Sequence, residues 1–277
     1  MARLPVAPEA GNTMKAASIA ICFLSVLASK QPQPPGDLQL FLLIGQSNMA
    51  GRGIVEAQDR EVLSHIFVLD KSLEWAPAID PLHFDKPAIA GVGLGRSFAK
   101  ELAAASPGAS IGLIPAAFGG TTLLQWQRDG ALYEEAVRRT KAAMRSGTLR
   151  GILWHQGEGD ADSAEKASTY RDRFSQFISG LRQDLGAPDA PVVVGELGRF
   201  FSDRAPYGKV VNEQLALISR TVPRVALASS FGLRDKGDGV HFDSVSLREL
   251  GTRYAGAFLK LDPGWRRAPA PPDRERP

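Results

Sequence analysis

The chain has 277 residues, is 44% hydrophobic and 23% charged, and carries a net charge of +3. That is the composition of a soluble globular protein, long enough for one large α/β domain or two small ones. The excess charge sits at the ends: residues 264–277 hold four arginines against Asp273 and Glu275, residues 1–28 hold Arg3 and Lys15 against Glu9, and removing these six basic and three acidic residues leaves 27 of each, so no basic stripe argues for nucleic acid.

Met14-Lys15 opens a short positive region, followed by an apolar run from Ala16 to Ala28 that ends in Val26-Leu27-Ala28. This is the pattern of an export signal with a small-residue cleavage site, and it is too short for a comfortable membrane span. The expectation is a targeting segment over residues 1–28 starting at Met14, and a secreted or periplasmic mature chain with no stable membrane insertion. An uncleaved anchor or a poorly ordered arm is the alternative. Residues 1–13 push the apolar run away from the first methionine. Cys22, the only cysteine, lies inside that run without the small residue a lipid anchor needs before it. A mature chain lacking it has no disulfide framework, no thiol nucleophile and no cysteine-ligated metal.

Residues 29–36, centred on Gln31-Pro-Gln-Pro-Pro-Gly36, read as a linker, and the Pro- and Arg-rich residues 263–277 read as a disordered tail. Between them lies one body, 37–262. Strands are expected at 40–44, 66–69, 111–114, 151–154, 192–195 and 225–228. Helices are expected at 94–105, 131–146, 163–185, 209–220 and 244–259. In the third helix Tyr170, Phe174, Phe177, Ile178 and Leu181 recur at helical spacing and mark one buried face. Strands apolar on both faces and alternating with helices imply a parallel sheet covered on both sides, with ligands beyond the carboxyl ends of its strands. That singles out the segments after Ile44, Ile114 and Trp154.

The first is Gly45-Gln-Ser-Asn-Met49. It is not the G-x-S-x-G elbow, because Met49 fills the second glycine position, and Ser47 alone reads equally as a helix cap. The second is Pro115-Ala-Ala-Phe-Gly119-Gly-Thr, whose adjacent glycines suit either an oxyanion site or a tight turn. The third is Trp154-His-Gln-Gly-Glu-Gly-Asp160, a polar cluster at the same face. A nucleophilic serine needs a base. Of the four histidines, His241 lies in Asp238-Gly-Val-His, where one loop supplies both an imidazole and a carboxylate to orient it.

Together these four blocks resemble, in their order across residues 40–255, the sialate O-acetylesterase / carbohydrate esterase family 6 (acetylxylan esterase-like) branch of the SGNH hydrolases. The resemblance implies a three-layer α/β/α, flavodoxin-like fold with a mostly parallel central sheet. It also implies removal of O-acetyl groups from carbohydrates through an acyl-enzyme, without metal or other cofactor. By position Ser47 matches the nucleophile, His241 the base and Asp238 the acid that orients it. Ser47, Gly119, Gly120 and Gln156 match the oxyanion hole. Glu158 falls on the family's Gln-Gly-Glu glutamate; it is the alternative acid, or a residue that braces the loops. Gly159 stands where relatives commonly carry serine or asparagine, and Arg248 where glutamine is common. Gln46, Asn48, Trp126 and Arg128 are substrate-binding candidates, with core packing the alternative for Trp126; Arg199, Phe200 and Phe201 are weaker ones. A lipid or thioester hydrolase of the same fold, and an inactive glycan-binding module, are the rival functions. The sequence leaves open which acetylated sugar is the substrate.

Overall fold

Alternate residues of the first strand, β1 (Leu38–Gly45), enter different cores: Leu40, Leu42 and Ile44 pack on one side of the sheet, Phe41 and Leu43 on the other. Side chains on a strand alternate between faces, so a strand apolar throughout must be covered twice. The computed structural model describes residues 1–2 and 36–267; nearly all of the targeting segment and of the linker, and the tail from 268 onward, lie outside the described residues.

The remaining strands are β2 (Ile66–Leu69), β3 (Trp75–Pro77), β4 (Ile111–Pro115), β5 (Gly147–His155), β6 (Val192–Gly195) and β7 (Val225–Ala228), in the sheet order β3-β2-β4-β1-β5-β6-β7. All neighbours pair in parallel except β2 and β3, an antiparallel edge pair whose short outer strand the sequence pattern did not announce. Chain connections run to one side of β1 up to β4 and to the other side from β5 on. The carboxyl end of β1 is therefore the switch point, where such sheets form their clefts.

On one face lie α3 (Ala131–Ala143), α4 (Ala164–Ser168), α5 (Tyr170–Asp184) and α7 (Gly208–Thr221), over Trp126, Trp154, Phe174 and Phe177. On the other lie α2 (Gly95–Ala105) and α8 (Ser244–Leu261), over Phe41, Phe98, Tyr254 and Phe258. The single helix expected at 163–185 is two. Ser163 caps α4 by accepting from Lys166 N. The Arg173 guanidinium then takes the Lys166 carbonyl at 2.5 Å, the acceptor a continuous helix would offer to the Tyr170 N–H. Order also extends past the expected end of the body. Trp265 is buried, its ring edge-on to Phe41 and Phe258, and its Nε1 donates to Leu102 O at 3.0 Å. An indole that buries both its apolar body and its one donor fixes a segment that composition alone assigned to the tail. Among the described residues no helix is long and apolar enough to cross a membrane.

Candidate active site

Ser47 is placed by a glycine. Gly45 ends β1 at φ +129°, and a Cβ there would stand 2.1 Å from the His155 carbonyl oxygen. That space is needed because Gln46 N donates to the same carbonyl at 2.9 Å, tying the turn to the end of β5. The chain then enters a four-residue helix, α1 (Ser47–Ala50), whose capping position is Gln46. Ser47 is therefore inside the helix rather than its cap.

Its hydroxyl meets His241 instead. Ser47 Oγ lies 3.0 Å from His241 Nε2, and His241 Nδ1 lies 2.7 Å from Asp238 Oδ2. The other oxygen, Asp238 Oδ1, accepts from the N–H groups of Val240 and His241 at 2.9 and 2.8 Å. Partial burial works to raise the Asp238 pKa, but these backbone bonds, the ring N–H and the adjacent imidazole outweigh it and hold the carboxyl well below its ordinary value. Glu158 does not touch His241. It is buried, and its Oε1 accepts from Asn48 Nδ2 at 2.6 Å. Of the two acids the sequence offered, the geometry brings Asp238 to the base.

The glycine pair flanks Ser47 as the strand order requires. A Cβ on Gly119 would lie 3.4 Å from Ser47 Cβ and 2.6 Å from Arg52 Nη2, so this approach depends on the missing side chain. The Gly119 N–H, however, is not free: it donates to Asp85 Oδ2 at 2.9 Å. Among the described residues no acceptor takes the N–H of Ser47 or of Gly120. Those two donors, rather than Gly119, are left for an oxyanion.

Gln156 also departs from its expected role. Both hydrogens of its side-chain amide are spent inside the protein, on Thr121 O at 2.9 Å and Asp160 Oδ2 at 2.7 Å. Its Oε1 lies 2.9 Å from the Tyr170 hydroxyl, and the residue is fully buried. An amide has two N–H donors, so none remains for an oxyanion. Instead Gln156 braces the loop after β4, with Asp160, which also accepts from Leu123 N at 2.8 Å and pairs with Arg173 at 2.9 Å.

Of the substrate-binding candidates, Gln46, Asn48 and Trp126 are buried, and Arg128 is exposed. Trp126 is fully buried, edge-on to Trp154, with its Nε1 on Thr121 Oγ1 at 3.0 Å, and belongs to the core. Arg128 pairs with Asp184 on α5. Asn48 gives its two hydrogens to Glu158 Oε1 and Val240 O, and its Oδ1 accepts from Phe242 N. Gln46 is buried and accepts from Gly159 N at 3.3 Å. A Cβ on Gly159 would stand 2.5 Å from Thr121 O, so the glycine lets the β4 loop close against β5. Arg248 pairs with Asp59 at 2.6 Å and Glu56 at 2.9 Å and so ties α8 to the loop after β1. Phe200 packs edge-on against Phe242 beside the base, and Arg199 lies over the Phe231 ring.

Arg52 and Asp85 belong to none of the four sequence blocks. They form a buried ion pair at 2.6 Å beneath the glycine turn, with side-chain exposures of 2% and 1%. Burial works to raise the Asp85 pKa, but the Arg52 bond and charge and the Gly119 N–H outweigh it and lower it. Breaking such a pair costs about 3–5 kcal/mol, because it strands a charge in the interior. Arg52 carries a weak signal, a lone charge in a stretch of small buried residues. Asp85 sits in a loop without periodicity. Of the other histidines, His65 is exposed, and burial lowers His83 to about 4. Among the described residues no group of three or more His, Cys, Asp or Glu side chains is placed to hold a metal ion.

A Ser-His-Asp line at the switch point of an α/β sheet is the arrangement of a serine hydrolase. Residues 37–260 match the family model for carbohydrate esterase, sialic acid-specific acetylesterase, and the chain belongs to that family. It is a carbohydrate O-acetylesterase. A probable carbohydrate esterase of Arabidopsis thaliana is 33% identical over 249 residues, covering 83% of this chain and 93% of the relative. The crystal structure of the Arabidopsis protein superposes with a TM-score of 0.75 at 32% identity, over 82% of this chain and 99% of that one. A crystal structure of NanS superposes with a TM-score of 0.69 at 18% identity, over 84% and 99%, a likeness of fold.

Proposed function

We propose that the chain removes O-acetyl groups from carbohydrates by a serine mechanism through an acyl-enzyme on Ser47. The observation that carries this reading is the unbroken line from Asp238 Oδ2 to His241 Nδ1 at 2.7 Å and from His241 Nε2 to Ser47 Oγ at 3.0 Å. Asp238 accepts from Nδ1–H and so leaves the Nε2 lone pair facing the hydroxyl, the tautomer a general base requires.

Ser47 Oγ attacks the acetyl carbonyl carbon as Nε2 takes its proton. The oxyanion receives the N–H groups of Ser47 and Gly120. Collapse breaks the bond to the sugar oxygen, which takes the proton back from Nε2 and leaves as a hydroxyl. Water then attacks the acetyl-serine, again giving a proton to Nε2; that proton returns to Ser47 Oγ as the bond to the acetyl group breaks, and the acetic acid released ionises to acetate in solvent. Preorganised donors of this kind are worth about a hundred- to a thousandfold each in turnover.

Ser47→Ala should fall near background on p-nitrophenyl acetate and on acetylated sugars while melting as the wild type does; retention of most activity defeats the serine mechanism. An acyl-length series separates this function from lipid or thioester hydrolysis, since an acetylesterase loses turnover steadily beyond the acetyl group. Acetate release from acetylated xylan against O-acetylated sialosides identifies the sugar. Export directed by residues 14–28 is part of the proposal, and N-terminal sequencing of the exported chain tests it.

A further inference from the structure

Behind Ser47 two buried polar atoms lack hydrogen-bond partners: His155 Nε2 and Glu158 Oε2. Their side chains face one another, with His155 Nε2 4.0 Å from Glu158 Oε1. Orphaned buried polar atoms are rare and costly, so a facing pair calls for an explanation.

The tautomer of His155 follows from its other nitrogen. Tyr254 has one hydroxyl hydrogen and donates it to Trp154 O at 2.7 Å. His155 Nδ1, 3.0 Å from that hydroxyl oxygen, must therefore be the donor to it. Nδ1 carries the hydrogen and Nε2 is a bare lone pair. The ring stays neutral, because complete burial lowers its pKa to about 3. Glu158 thus faces a lone pair rather than a cation. Its other titratable or charged neighbours give an anion no support: the Tyr170 and Tyr254 hydroxyls are kept neutral by burial, Asp160 works to raise the Glu158 pKa, and Arg173 pairs with Asp160. Besides the Glu158 backbone N–H, Asn48 Nδ2 is the donor that reaches this carboxyl. A single proton on Oε2 satisfies both orphaned atoms through one bridging water that accepts from Oε2 and donates to His155 Nε2.

The same carboxyl fixes an amide that clamps the base. Asn48 Nδ2 reaches Glu158 Oε1 at 2.6 Å and Val240 O at 3.1 Å, and Asn48 Oδ1 receives Phe242 N–H at 3.1 Å. Val240 and Phe242 are the two neighbours of His241. We infer that Glu158 works as a neutral carboxylic acid, its proton turned toward His155 Nε2 and its Oε1 holding the Asn48 amide, and that this pair positions the His241 loop against Ser47. Glu158 and Asn48 are positioning residues in this scheme, which rests on the serine mechanism proposed above.

The neutral acid has an isosteric mimic. In Glu158→Gln the amide oxygen accepts from Asn48 and the amide N–H faces His155 Nε2, so turnover should stay within about threefold of wild type. Glu158→Ala leaves a buried Asn48 donor unpaired and slackens the clamp; kcat should fall on the order of tenfold to a hundredfold, with KM nearly unchanged. If Glu158→Gln falls as far as Glu158→Ala, the carboxylate is needed as an anion and the inference is wrong.

A second readout is independent of activity and survives a failure of the alanine variant to fold. Burial raises the folded-state pKa of Glu158 from 4.5 to about 7. Between those values the folded state binds the extra proton, so that stability is fully present below pH 4.5 and is lost as pH rises through about 7. Buried Asp80, also raised to about 7, contributes the same sign to both proteins and cancels in their difference. The wild type should therefore lose stability relative to Glu158→Gln as pH rises from about 5 to about 8. A difference flat with pH overturns the inference. Should Ser47→Ala remain active, the serine mechanism fails, yet the pH-dependent difference in stability still reports the proton on Glu158.

Discussion

Replacing Asp238 with asparagine changes one proton and very little shape. Asp238 Oδ1 accepts two backbone N–H groups, from Val240 and His241. Those donors decide which way the new amide turns: its oxygen must stay with them, so its NH₂ takes the place of Oδ2, 2.7 Å from His241 Nδ1. Facing a donor, Nδ1 becomes the acceptor and the hydrogen moves to Nε2. That hydrogen then points at Ser47 Oγ, and the ring no longer accepts the serine proton. A tautomer error of this kind costs about ten-thousandfold in turnover in a comparable triad, or about 5.5 kcal/mol. Here Asp238 keeps 38% of its side chain exposed and Lys236 Nζ lies 3.6 Å away, so water and a mobile cation share the site. We expect a loss of about a thousand- to ten-thousandfold in kcat, with KM changed less than about threefold. Stopped-flow and steady-state hydrolysis of p-nitrophenyl acetate at neutral pH, with circular dichroism to check the fold, measures it. A kcat within tenfold of wild type refutes the argument, and a larger loss in Glu158→Gln than in Asp238→Asn reassigns the acid.

Asp85→Ala strands the buried Arg52 guanidinium and frees the Gly119 N–H. It should cost about 3–5 kcal/mol by denaturant unfolding. It should also lower kcat more than it raises KM, because the glycine turn beside Ser47 loses its tether. Trp126→Phe tests whether that ring is core or sugar platform: the melting temperature should drop while KM for acetylated sugars stays within about twofold, and a KM rise above tenfold would return Trp126 to the substrate site.

Strand ends were legible because a parallel sheet demands long apolar runs, and Leu38–Gly45 or Val192–Gly195 can be little else. The Asp238–His241 pair was legible because both residues share one short loop, so sequence distance stands in for spatial distance. Gln156 was misread for the converse reason. Its type suits an oxyanion donor, but whether its hydrogens are free depends on Thr121 and Asp160, 35 residues before it and four after. Asp85 shows the limit plainly. It reaches Gly119 from a loop 34 residues away, and no local pattern encodes that meeting. Buried polar networks are specified by who is nearby in space, which periodicity does not report.

Ser47 and His241 stand 194 residues apart in sequence, one just after the first strand and the other just before the last helix. A ribosome making this chain releases Ser47 long before it releases His241. Asn48 waits with it, lacking Val240 and Phe242 to hold. On the proposed mechanism hydrolysis therefore reports completion: no stretch of this polypeptide ending before residue 241 contains Ser47, Asp238 and His241 together. Two separately made fragments, cut in a loop between β5 and β6, would regain turnover only by reassembling the sheet. The enzyme is in this sense its own folding assay, since the reaction joins the beginning of the domain to its end.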